Sequence, residues 1–113
     1  MRSLGLIEVE SVTAALDALD IMCKSAAVEF VTWERKLGGR LVTIVVRGEV
    51  SAVAAAVESA VHSCIKTPRA HAVIANPHEE TERILAVSAA RMSLKTAEKK
   101  PDDPSAEIFL QEE

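Results

Sequence analysis

Aromatic side chains are nearly missing from this 113-residue sequence: Phe30, Trp33 and Phe109 are the whole set. Nucleic-acid bases are commonly held by stacking on such rings, so no stacking platform is available. An excess of positive charge is also missing, with 13 Lys and Arg against 17 Asp and Glu and a net charge of −4. A nucleic-acid surface needs a concentration of Lys and Arg that this chain lacks. No uninterrupted apolar run approaches the roughly 18 residues of a membrane-crossing helix, and the opening MRSLGLIEVE puts acidic residues where a secretory leader has its apolar core. A soluble cytosolic protein is expected, with no nucleic acid and no membrane among its partners.

Cysteine is equally sparse. Cys23 and Cys64 stand far apart with no CxxC pair, which argues against a zinc site or a disulfide framework and points to reduced, buried thiols. His62, His71 and His78 fall on different elements with no carboxylate or cysteine spacing that specifies a metal. Ser63 follows His62 directly, so the two side chains diverge on a helix and form no nucleophile and base pair. G-x-S-x-G, P-loop and Rossmann signatures are all absent. No catalytic residue, metal or cofactor is therefore assigned, and the chain is not read as an enzyme.

What is present is a sequence 49% hydrophobic and rich in Ala and Val, enough for one compact domain in which helices lie close to a sheet. Residues 4–10 alternate with the period of a strand. From Val12 an apolar stripe of Val12, Ala15, Leu16, Leu19, Met22 and Cys23 predicts a helix. Residues 28–35 and 41–47 read as paired strands around the Gly38 and Gly39 turn. Gly48 is expected to break the third strand, and Glu49 or Ser51 to cap a helix with the stripe Val50, Val53, Ala54, Val57, Val61 and Cys64. Residues 70–75 make a fourth strand, followed by a short helix with Pro77 in its first turn. This β-α-β-β-α-β-α order predicts an α/β (α+β) fold of the ferredoxin-like, split βαβ kind, an antiparallel sheet with two helices on one face. Its other face needs cover.

The domain is expected to span residues 1–94. Residues 95–113 carry two prolines and dense charge and read as a mobile charged tail. Ile108, Phe109 and Leu110 near its end are a candidate docking element.

Four segments, GLIEVES (5–11), DIMCKSAAV (20–28), KLGGRLVTIVVRGEV (36–50) and VIANPHEE (73–80), resemble the bacterial microcompartment shell family in order and spacing. The likeness covers residues 4 to 85. It implies a single shell domain of the hexamer-forming type, a cyclic homohexamer that tiles into facets within the bacterial cytoplasm. Partners implied are further copies of itself, other shell proteins and, through the tail, enclosed enzymes. The alternative is a ferredoxin-like oligomeric module that binds a small molecule.

By the same resemblance, the loop of Lys36, Leu37, Gly38, Gly39 and Arg40 surrounds a central pore, with Gly39 at the rim. Arg40 stands where the family usually has glycine, and inward-facing Lys36 or Arg40 would favour anions. Counted from the first helix, the hairpin holds one residue more than the family pattern. Lys24 matches an edge lysine between hexamers, and Asn76 falls at a position where relatives carry arginine. Composition alone gives Lys24 only an i,i+4 pair with Asp20.

Overall fold

A computed structural model describes residues 2–97. The chain runs β1 (Arg2–Val9), α1 (Val12–Ser25), β2 (Glu29–Lys36), a 3₁₀ turn (Leu37–Gly39), β3 (Leu41–Glu49), α2 (Val50–Ser63), β4 (Ala70–Ile74) and α3 (Glu79–Ala97). The sheet order is β2-β3-β1-β4 with every pair antiparallel, the split βαβ plan expected from the element order.

Along β1 the pleat sends Gly5, Ile7 and Val9 towards α1 and α2, where Ile7 and Val9 join the core with Met22, Val42, Ile44, Val46 and Val53. A Cβ on Gly5 would come within 2.8 Å of Val53 and 2.9 Å of Val57. The hydrogen in its place lets α2 settle directly onto β1. The same closeness corrects the expected helix stripes. α1 buries Ala14, Ala15, Ala18 and Met22 and α2 buries Val53, Ala56, Val57 and Ala60, while Leu16 and Val50 are exposed. Alanine fills much of each buried face, where the helices lie close to the sheet, and Leu16 and Val50 fall outside it.

Three further expectations change. Gly48 does not end β3 but pairs with Ser3 inside it, and glycine stands there because a Cβ would come within 2.9 Å of the Ala27 carbonyl oxygen. Glu49 occupies the N-cap position of α2 without a side-chain cap bond. Cys23 is exposed and Cys64 half-buried, its thiol 3.4 Å from the Ala14 carbonyl oxygen.

The third helix is long, not short. α3 has 19 residues and reaches three residues past the expected domain boundary, while residues 98–113 lie outside the described residues. Pro77 precedes it, and His78 caps it by accepting the Glu80 N–H on Nδ1 at 3.0 Å. α3 supplies part of the cover on the sheet's second face, over β2, and it is fastened by polar groups. Arg47 of β3 makes a bidentate bond to Glu82 at 2.6 and 2.7 Å. The buried Thr32 hydroxyl meets Ser88 at 2.8 Å, Ser88 donates to Glu34, and Arg91 bonds the same carboxylate at 2.7 Å. Ile84 and Val87 face solvent.

Candidate functional site: the β2–β3 loop and the α1–β4 corner

The β2–β3 hairpin closes at the Lys36 and Leu41 pair. Between them Leu37, Gly38 and Gly39 all take left-handed backbone conformations, with φ of 56°, 68° and 89°. Two of the three residues are glycines, which adopt this region without penalty. Leu37 pays a cost that local hydrogen bonds offset: its carbonyl accepts from the Arg40 backbone N–H at 3.4 Å and from Arg40 Nε at 3.0 Å. The Arg40 carbonyl accepts the Ser11 N–H at 3.2 Å, tying the loop to the cap of α1, where Ser11 Oγ accepts the Ala14 N–H at 3.1 Å.

The hairpin turn falls at Gly38 and Gly39, where the sequence places it. Gly39 is buried within its own subunit, and the outward residues are Lys36, Leu37, Gly38 and Arg40. Leu37 is 66% exposed, and nothing lies within 4 Å of the position a Gly38 Cβ would take. β2 accommodates an extra residue at Val31, a bulge between Phe30 and Thr32, so the loop itself stays at four residues. Arg40 is held by its clamp on Leu37, a role that charge and spacing alone do not reveal.

Lys24 and Asn76 lie at the other end of the domain. β3 begins beside Val9 and β4 ends beside Leu4, so the hairpin and Asn76 are separated along the strands by roughly 25 Å. α1 runs back from Ser11 for 14 residues, or about 20 Å, before reaching Lys24. Lys24 Nζ pairs with Asp20 at 2.7 Å, and that hydrogen bond holds its pKa above the ordinary lysine value. Asn76 is exposed after the edge strand in a left-handed conformation with φ 50°, which asparagine tolerates. Partial burial, and after it Asp20, raises the pKa of the neighbouring Cys23 thiol, which favours its protonated form.

Comparison with known proteins decides the family. Residues 3–77 match the family described as the BMC domain. The chain belongs to that family. This BMC domain is 42% identical over 86 residues to the bacterial microcompartment shell protein PduA of Citrobacter freundii, covering 74% of the chain and 91% of PduA. It is 42% identical over 89 residues to the carboxysome shell protein CsoS1C of Hydrogenovibrio crunogenus, covering 75% and 85%. With the carboxysome shell protein CcmK2 of Synechococcus elongatus it shares 37% identity over 89 residues, covering 75% and 86%. Among solved structures it is similar to a microcompartment protein from Desulfitobacterium hafniense DCB, at TM-score 0.66 and 26% identity, covering 80% of this chain. It spans 48% of that longer chain. A structural shell subunit is the role that this BMC domain shares with its relatives, and no helix among the described residues is long and apolar enough to cross a membrane.

Proposed function

We propose that six copies close into a flat cyclic ring, that Lys36, Leu37, Gly38, Gly39 and Arg40 line its central pore, and that Lys24 and Asn76 lie on its outer edge where rings tile. The observation that carries this reading is the placement of loop and corner at opposite ends of one sheet. A head-to-tail contact that closes by rotation needs an inner end, an outer end and two complementary flanks. β2 and β4 supply the flanks, as the two unpaired edges of the sheet. Phe30, Val73 and the whole outer side of β4 are exposed in the single chain, and a neighbour's flank is a natural cover for such a strip.

At the centre, six copies of Lys36 and Arg40 around Gly38 form a cationic opening that favours anionic metabolites. Leu37 adds an apolar collar beside it. Assembly is with copies of itself and with other shell proteins, and the role is structural, not catalytic. The location is the microcompartment shell in the bacterial cytoplasm. Enclosed enzymes are candidate partners for the tail.

The test is the native mass, followed by negative-stain imaging of the same sample. Six times 12.1 kDa is about 73 kDa, with flat tiles in the images. A stable dimer or trimer that never tiles sinks the ring and favours a small-molecule-binding module.

A further inference from the structure

The charge of this chain is unevenly placed. Residues 101–113, PDDPSAEIFLQEE, hold five carboxylates and no cation. Removing those five from the 17 acidic residues leaves 12 against 13 Lys and Arg, so residues 1–100 carry +1 and the final segment −5. The segment also carries Ile108, Phe109 and Leu110 side by side, an apolar cluster that water disfavours.

Among the described residues, one groove suits it. Between α3 and the end of β2 lies an open depression of about 360 Å³, within the range of roughly 300–1,000 Å³ that accommodates small ligands or a few side chains. Its apolar wall is Ile84, Leu85 and Val87, and its charged lining is Lys36, Arg83 and Arg91 against Glu34 alone. The lining is net positive in a net-negative chain. Arg83 donates Nε to Glu80 and Arg91 donates one amine to Glu34, but both guanidinium groups are more than 60% exposed and have further donors. Ile84 and Val87 are 61% and 54% exposed because α3 turns its polar side, Glu82 and Ser88, to the sheet. The helix thus presents outward the apolar surface that a helix ordinarily buries.

We propose that this groove is the docking site of the chain's own Ile108, Phe109 and Leu110, the apolar cluster lying on Ile84 and Val87 and the flanking carboxylates meeting Arg83 and Arg91. The reach is sufficient. From Ala97 back to Val87 is ten residues of helix, about 15 Å, and residues 98–107 span up to about 33 Å when extended. Pro101 and Pro104 favour a turn in that connection. A tether this short also gives the segment a millimolar effective concentration at the groove, ahead of any competing acidic peptide.

The experiment replaces Phe109 by p-benzoylphenylalanine in the full chain, irradiates it and maps the cross-linked peptides by mass spectrometry. Cross-links to residues 83–91 are expected, in chains that still migrate at the single-chain mass on a denaturing gel. Their yield drops several-fold in Arg83→Glu and in Val87→Asp, both exposed positions, with the circular dichroism spectrum unchanged. Cross-links that map elsewhere, that double the chain mass, or that persist in both variants overturn the proposal, as does their absence. Ring mass is scored separately, so loss of this contact and loss of the hexamer are distinguishable.

Discussion

A hydrogen atom at position 48 governs how the end of α1 approaches the sheet. Gly48 stands under the Ala27 carbonyl, and a backbone oxygen has nowhere to swing. Gly48→Ala forces a backbone shift and costs about 1–3 kcal/mol, read as a lower midpoint in thermal unfolding. Ser3 is the opposite case. Its hydroxyl is buried with no partner among the described residues, and an unsatisfied buried hydroxyl costs about 1–3 kcal/mol. Ser3→Ala removes that penalty along with only one atom, so the unfolding midpoint rises. A fall would mean that the hydroxyl is satisfied after all.

At the scale of elements, α3 is held by its polar seam. The bidentate bond from Arg47 keeps the Glu82 carboxyl below its ordinary value near 4.5. When α3 undocks, Glu82 returns to that higher value and binds protons more readily, so docking is fully supported above about pH 4.5 and fades as pH falls through the lower, docked pKa. Glu82→Gln therefore weakens α3 at neutral pH, and its difference from the unaltered chain shrinks in acid. Urea unfolding at pH 7 and at pH 3.5 checks both halves. A second seam contact tests differently: Ser88→Ala leaves the buried Thr32 hydroxyl only its long 3.5 Å bond to the Trp33 carbonyl, whereas Thr32→Val with Ser88→Ala removes both partners and costs less than the sum of the single changes, as a double-mutant cycle measures.

This seam also explains what the sequence disclosed and what it hid. β1 was legible from its alternation, β2 and β3 from β-branched and aromatic residues around a glycine turn, and the first two helices from apolar residues that recur on one side. Their buried faces were found in part: Ala15, Met22, Val53 and Val57 are buried as expected, but hydrophobicity ranks the exposed Leu16 and Val50 above the buried Ala14 and Ala56. The length of α3 was hidden for a related reason: Glu82 and Ser88 face inwards, so no apolar stripe points to the core. The bulge at Val31 leaves no local signature in a run of β-formers. The loop of Lys36 to Arg40 was visible through its glycines, but the bond from the Ser11 N–H to the Arg40 carbonyl joins residues distant in sequence.

For the molecule as a whole, the proposed outer edge is open to direct test. Lys24→Ala removes an exposed ammonium whose described partner within the subunit is Asp20, a pair worth little to stability at a solvated surface. The ring mass is expected to stay at the hexamer value while extended sheets seen by electron microscopy become sparse. Unchanged sheets would remove Lys24 from the contact between rings.

The distance between the hairpin and the α1–β4 corner has a consequence for how such a subunit can vary. Substitutions separated by more than about 7–10 Å, with no shared partner, combine additively, and these two sites lie well beyond that range. In the ring proposed above, a change in what the opening admits and a change in how neighbours join therefore act as independent parameters. In that ring, transport can diversify in one lineage of subunits while their mutual fit is left untouched, so that tiles with different openings remain interchangeable in a single wall.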